Sequence, residues 1–305
     1  MTNLSLERIT SRIAQTMRKT GRRLEPVHGG GYSLALRLRA FFDDGTTAFV
    51  KVATSQDLAR FLRTEHHVYS SLGKQDFLAT FYGWDDDGEH PLLILEDFSH
   101  AVWTSSWTNK RIDAVLAMLK RVHQTPAPLK IPPLETPEMR LELNAWKDVA
   151  NDPKIFLSTG FCSQTWLQEA LPDLLEAESK IVLAGNDFLH LDVRSDNICF
   201  LGETRALLVD WNWSCVGNAE FDLAVWLPSL QAEGGPKPET FLANAAPWAA
   251  SLSGFSAARV GLPAPAAAPL VRVLQRKLLG TALPWAARAL GLPMPDGDAP
   301  ELILV

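Results

Sequence analysis

Apolar and polar positions along this chain follow two regimes, and the change between them falls near residue 98. Residues 4–20 set Leu4, Ile9, Ile13 and Met17 at helical spacing, which predicts a short leading helix. Three runs rich in β-formers follow: Leu24–His28, Ser33–Phe42 and Thr46–Ala53. They are separated by Gly29-Gly30-Gly31 and by Asp43-Asp44-Gly45, the second a strong hairpin signal. The Ser55 hydroxyl is placed to cap a helix that runs to about Leu72. Phe77–Tyr82 and Leu92–Glu96 read as two more strands around the acidic turn Asp85-Asp86-Asp87-Gly88.

Beyond Phe98 the period lengthens. Helices are predicted over Asn109–Gln124, Glu138–Ala150, Ser163–Lys180, Phe221–Gln231, Glu239–Leu252 and Ala267–Leu290. Between the third and fourth of these, three short apolar runs read as strands: Ile181–Ala184, Asn197–Leu201 and Ala206–Val209. Pro126–Pro133 reads as a connecting loop, because each proline fixes φ and removes a donor, and Pro263–Pro269 as a kinked helix start. The pattern is that of an α+β protein of two lobes, residues 1–98 β-rich and residues 99–305 mainly helical.

Composition narrows the partners. A net charge of −6 argues against a nucleic-acid surface, which needs dense Lys/Arg stripes, and leaves room for a cationic small substrate. Cys162, Cys199 and Cys215 have no paired spacing, so neither a disulfide framework nor a zinc cluster is expected, and a reducing cytoplasm fits best. The N-terminal residues carry charge before any apolar run, unlike a secretory signal. Phe241–Ala258, the least charged stretch, is broken by Asn244, Pro247 and Gly254, so no membrane span is expected.

The chemistry concentrates in His190-Leu-Asp-Val-Arg-Ser-Asp-Asn197 and in Leu207-Leu-Val-Asp210-Trp211. Asp192 lies between Leu191 and Val193 at the end of an apolar run, a costly place for a carboxylate unless hydrogen bonding or function retains it, and it is suited to accept a hydroxyl proton. Asn197 and Asp210 offer the hard oxygen ligands that Mg²⁺ prefers, although each alone also fits a turn cap or a strand end. His190 reads as a packed loop histidine, and Asp222 as a residue at a helix start that ties the loop down.

Upstream, Gly29, Gly30, Gly31 and Ser33 form a turn whose backbone can approach phosphate oxygens, or equally a plain hairpin. Lys51 alternates within a strand. It is either solvated or, if it points inward, paired, and Glu65 in the following helix is the candidate partner.

The order of glycine turn, strand lysine, helix glutamate, Leu95-Glu-Asp-Phe98, His190-x-Asp192-x4-Asn197 and Asp210-Trp211 resembles the protein-kinase-like fold, specifically the aminoglycoside phosphotransferase and choline kinase superfamily. The resemblance spans residues 24 to about 230 and implies ATP and Mg²⁺ as cofactors. It implies Lys51, held by Glu65, on the ATP phosphates, and Asp192 as base. Asn197 and Asp210 would sit on Mg²⁺, and the backbone near Glu96 and Phe98 would receive adenine. The chain departs from the family's usual loop at Leu191 and at Arg194-Ser195-Asp196. Arg194 is expected either at the transferring γ-phosphoryl group or in a salt bridge with Asp196 or Asp222.

Eleven residues separate Asp210 from Asp222, which leaves no room for the longer peptide-docking segment of protein kinases, and no Ala-Pro-Glu motif is present. The expected activity is transfer of the ATP γ-phosphate to a hydroxyl of an aminoglycoside-like, amino-sugar or amino-alcohol substrate. The rival readings are a non-catalytic nucleotide-binding protein and a protein kinase. Trp107, Trp146, Trp166, Trp248 and Trp285 stand either along an acceptor pocket or, by the better-supported reading, in the core.

Overall fold

The computed structural model describes residues 5–28, 33–103 and 106–297. Gly29, Gly30 and Gly31 lie outside the described residues. Helix α1 (Leu6–Met17), capped by the Ser5 hydroxyl, precedes strands β1 (Gly21–Pro26), β2 (Leu36–Phe42) and β3 (Thr47–Val52). Helix α2 (Gln56–Leu72) follows, with Ser55 as its cap, then β4 (Phe81–Asp85) and β5 (Leu92–Leu95). The five strands form one antiparallel sheet in the order β1-β2-β3-β5-β4.

Period-two alternation gives this sheet two different faces. Leu38, Ala40 and Phe42 of β2, Val50 and Val52 of β3, and Leu92 and Ile94 of β5 pack under Ile9 and Ile13 of α1 as a separate core. Leu93 and Leu95 face the other way and join the buried side chains of α2 and of the helical part. The acidic turn after β4 is held from both sides, with Asp85 and Asp87 bonded to Arg12 of α1 and Asp86 paired with Arg63 of α2 at 2.7 Å.

The described residues beyond Phe98 carry five short strands, β6 (Val102–Trp103), β7 (Asp187–Leu189), β8 (Ile198–Leu201), β9 (Arg205–Leu208) and β10 (Cys215–Gly217). β6, β8 and β9 pair in that order, and β7 pairs with β10. Among the described residues the helices are α3 (Asn109–Gln124), α4 (Pro137–Leu143), α5 (Trp146–Asn151), α6 (Pro153–Leu157), α7 (Gln164–Ser179), α8 (Glu220–Ala232), α9 (Ala246–Ala257) and α10 (Val271–Leu290). No helix among these residues is long and apolar enough to cross a membrane. The whole is an α+β kinase-like fold, an antiparallel sheet followed by a mainly helical part.

Several elements differ from the sequence reading. Phe77, Leu78 and Ala79 are not strand: all three are buried in a turn against the helical part, and the Phe77 carbonyl accepts the Leu208 N–H at 3.0 Å. Ile181–Ala184 is irregular, because its carbonyls serve other partners: Ile181 accepts from Arg140 and Leu183 from Asn218. Pro263–Pro269 forms turns, and α10 begins only at Val271. The helix expected over Glu239–Leu252 starts at Ala246, with Pro247 in its first turn, where a missing N–H costs nothing.

The helix expected over Glu138–Ala150 is broken at Asn144, and Glu178 explains the break. Its carboxylate, fully buried on α7, accepts the Trp146 N–H at 3.1 Å and so starts α5 as a new helix. Trp146 and Trp285 are fully buried, and Trp166 and Trp248 nearly so; these four build the core, whereas Trp107 is only half-buried.

Burial raises the Glu178 pKa to about 7, against the lowering influence of the Trp146 N–H. A carboxyl raised in this way favours the fold when neutral. Its contribution is fully present below about pH 4.5 and is lost as pH rises through about 7. Glu178→Gln, which keeps an acceptor for Trp146, should therefore match wild type near pH 4.5 and exceed it at pH 8.5 by about 3 kcal/mol. Urea unfolding across that range checks this, and parallel profiles for the two proteins would refute it.

Candidate active site

The alternation that buries Val50 and Val52 under α1 turns Lys51 to the opposite face of β3, where it is nearly buried and needs counter-charge. Two elements supply it. Glu65, on the inward stripe of α2 with Leu58, Leu62 and Tyr69, meets Lys51 Nζ at 2.8 Å. Asp210, just past β9, meets the same nitrogen at 2.5 Å. Burial opposes the ammonium charge, but the two carboxylates outweigh it and hold the Lys51 pKa above its ordinary value. At Glu65 burial prevails and raises the pKa despite Lys51, whereas at Asp210 the lysine overcomes burial and keeps the carboxyl below its usual range.

The loop after β7 is built on a second buried carboxylate. Asp222, fully buried in the first turn of α8, accepts the N–H groups of His190 at 2.9 Å and Leu191 at 2.7 Å, with His123 Nε2 of α3 at 3.1 Å. The His190 ring is spanned by two contacts: Nδ1 accepts the Asp192 N–H at 3.2 Å, and Nε2 donates to the Val209 carbonyl at 2.9 Å. Those partners fix the tautomer with its proton on Nε2 and occupy both nitrogens, so His190 serves as a spacer between loop and strand end. Leu191 and Asp210 both adopt left-handed backbone, each at φ +68°, a conformation that side chains other than glycine rarely take. The Asp222 bonds hold the first of these turns in place.

Asp192 then projects from the loop with its side chain one-quarter exposed. Arg194 grips it with two parallel bonds, Nε to Oδ1 at 2.6 Å and a terminal nitrogen to Oδ2 at 3.0 Å, and reaches Asp196 at 2.9 Å. The Asn197 amide nitrogen donates to the Asp192 Oδ2 and backbone carbonyl at 3.0 and 2.9 Å, which turns the amide oxygen away from Asp192. The Val209 N–H donates to the Asn197 carbonyl at 3.0 Å, joining this loop to the strand end that bears Asp210.

Of the residues singled out from sequence, Lys51, Glu65 and Asp210 form one ion cluster, and Asp192, Arg194 and Asn197 another. Ser33 is engaged with the Arg37 guanidinium at 3.1 Å. Around Glu96, the N–H donates to the Thr80 carbonyl and the carboxylate accepts from Thr80. The Phe98 carbonyl accepts from Ala101 and from the Trp103 indole. Among the described residues this leaves the Glu96 carbonyl, the Asp97 N–H and carbonyl, and the Phe98 N–H without a hydrogen bond. Two surface depressions, of about 260 and 580 Å³, lie elsewhere, one beside Glu176 and Pro247 and the other beside His67 and Pro128. Sequence reasoning missed His123 and Arg37, since a histidine in a last helical turn and an arginine in a strand carry no signal until register and packing are known.

Asp222→Ala would leave two buried N–H groups without their acceptor. A loss of about 3–5 kcal/mol in unfolding free energy is expected, with increased amide exchange at residues 190–192. A variant within about 1 kcal/mol of wild type would show that the loop does not depend on this carboxylate.

Residues 29–255 match the model of the APH family, described as the phosphotransferase enzyme family. Curated proteins give no sequence match. Spectinomycin phosphotransferase APH(9)-Ia, solved with ADP and spectinomycin, is similar in structure with a TM-score of 0.56 at 13% identity, over 95% of this chain and 94% of that one. Choline kinase LicA from Streptococcus pneumoniae gives 0.59 at 13% identity, over 93% and 98%. Aminoglycoside phosphotransferase APH(4)-Ia, as a thermostable mutant with ADP and hygromycin B, gives 0.54 at 12% identity, over 93% and 95%. At these identities the likeness is one of fold, but the family match covers most of the chain, and the chain belongs to the phosphotransferase enzyme family.

Proposed function

We propose that this phosphotransferase moves the γ-phosphoryl group of ATP to a hydroxyl of a small cationic acceptor, an amino sugar, aminoglycoside or amino alcohol. In this reading residues 1–98 form the nucleotide-binding lobe, and residues 99–305 form the catalytic and acceptor-binding lobe. The observation that carries it is the Lys51 ammonium held between Glu65 and Asp210, because it brings a phosphate-binding cation and a metal-binding carboxylate to one point.

Lys51 is already charged and aimed, so it can hold phosphate oxygens without reorganising. The Glu96 carbonyl and Phe98 N–H offer one acceptor and one donor to an adenine edge. Asp210, kept ionised, and the outward oxygen of the Asn197 amide form a hard-oxygen pair of the kind Mg²⁺ takes together with phosphates and water. Mg²⁺ bound there would supply neutralisation of charge on the transferring phosphoryl group. Asp192 accepts the acceptor's hydroxyl proton, and the Arg194 fork and the Asn197 amide fix its orientation. Arg194 in this scheme positions the base.

A small acceptor is favoured over a peptide because the chain between Asp210 and Asp222 is filled. A turn at Trp211–Trp213, β10 paired with β7, and the start of α8 occupy it. The net charge of −6 favours a cation, as do the kinds of molecule bound or named in the similar structures. A non-catalytic nucleotide binder would have no use for the oriented Asp192.

ATP turnover measured with a panel of hydroxylated amines should require Mg²⁺ and vanish with EDTA. Asp192→Ala should lower kcat by about 10²–10⁴-fold while leaving nucleotide affinity near wild type. Turnover that survives this substitution would remove Asp192 as the base. Lys51→Met should instead weaken ATP binding by about tenfold or more, seen as a raised KM for ATP.

A further inference from the structure

β2 presents two arginines on the Lys51 face of the sheet, and among the described residues only one of them is paired with a carboxylate. With Leu38, Ala40 and Phe42 buried under α1, Arg37, Arg39 and Phe41 take the other face. Cross-strand register puts Arg37 directly opposite Lys51 and Arg39 opposite Phe49. Opposed residues in an antiparallel pair lie on one face about 5 Å apart at Cβ. Arg39 is paired with Asp97 at 3.0 Å.

Arg37 has no such partner among the described residues. Its guanidinium donates to the Ser33 carbonyl at 3.3 Å, the Ala35 carbonyl at 3.4 Å and the Ser33 hydroxyl at 3.1 Å, all of them neutral acceptors. The backbone that supplies those acceptors is itself pinned. The Leu34 N–H donates to the Ala267 carbonyl at 3.0 Å, and the Leu34 carbonyl accepts from Thr54 at 2.9 Å. The positive charge reaches the ion cluster, where it adds to the lowering of the Asp210 pKa and partly offsets the burial that raises that of Glu65. A half-buried guanidinium that makes no ion pair of its own keeps N–H groups and charge to offer an anion brought to this face.

We propose that Arg37 is a second cationic contact for the polyphosphate of the nucleotide, working beside Lys51 and setting the preference for di- and triphosphates over monophosphates. The inference rests on the nucleotide-binding reading of the site. Its chemistry is a guanidinium fork, already half-fixed by backbone carbonyls, with N–H groups left to face phosphate oxygens.

Calorimetric titration of the full-length protein with ADP, AMP and adenosine, each with Mg²⁺, tests it on wild type, Arg37→Ala, Arg37→Gln, Arg37→Lys and Lys51→Met. Arg37→Ala should weaken ADP about 10–100-fold and leave AMP and adenosine within about twofold. Arg37→Gln keeps a donor for the loop carbonyls but no charge, and should show the same selective loss even if Arg37→Ala folds poorly. Arg37→Lys should fall between. ADP affinity within about twofold of wild type in Arg37→Gln overturns the proposal, as does a parallel loss for adenosine, which would mark Arg37 as a mere staple of the loop. If wild type binds no ADP, the nucleotide reading fails and this inference with it. If Lys51→Met weakens ADP and Arg37→Gln does not, only the role of Arg37 is refuted.

Discussion

The salt bridge from Lys51 to both Glu65 and Asp210 is the constraint around which the rest of this protein is arranged. It joins a strand of the sheet, the helix packed on that sheet, and the strand end of the helical part. A lysine this deeply placed is tolerated only with its charge matched, so losing either carboxylate would leave an expensive unpaired group. The match is also uneven. Burial raises the Glu65 pKa despite Lys51, whereas Lys51 holds that of Asp210 below its usual range, and Asp210 is partly open to solvent. One partner is thus enclosed, and the other keeps part of its carboxylate at the surface.

A second buried carboxylate plays the complementary part. Asp222 touches no solvent, yet it holds the backbone of His190 and Leu191 and meets His123, so that α8 and α3 together set the conformation of the loop. The left-handed Leu191 is the consequence. Where glycine would adopt φ +68° freely, leucine is kept there by the two bonds to Asp222. The His190 ring then transmits the loop's position to the Val209 carbonyl, one residue before Asp210. The two ion clusters of the site are therefore tied through hydrogen bonds rather than through apolar packing alone, which gives directionality that packing lacks.

Much of this was legible beforehand, and for identifiable reasons. Turn and cap chemistry is local, so Asp43-Asp44-Gly45, the Ser55 cap and the span of α3 could be read from neighbouring residues. The spacing of Asp192, Asn197 and Asp210 within one short segment limited them to one end of adjacent strands. The misread elements are those whose hydrogen bonds leave the segment. Ile181–Ala184 looks like a strand but gives its carbonyls to Arg140 and Asn218. The helix around Asn144 is split by a carboxylate on α7, thirty-two residues beyond the Trp146 N–H that it accepts.

By itself the sequence determined the fold class, the family resemblance and which side chains are the candidates for the chemistry, because periodicity, capping and motif spacing are properties of residues near one another in the chain. Only the tertiary structure decided which charges meet. Lys51 lies 159 positions from Asp210, and nothing local distinguishes it from a solvated strand lysine. Arg37 becomes notable only when register sets it across from Lys51, and Arg194 resolves onto Asp192 and Asp196 rather than Asp222 only when the loop is folded. Electrostatic pairing depends on distance in space and on burial, and neither is written in the order of the residues.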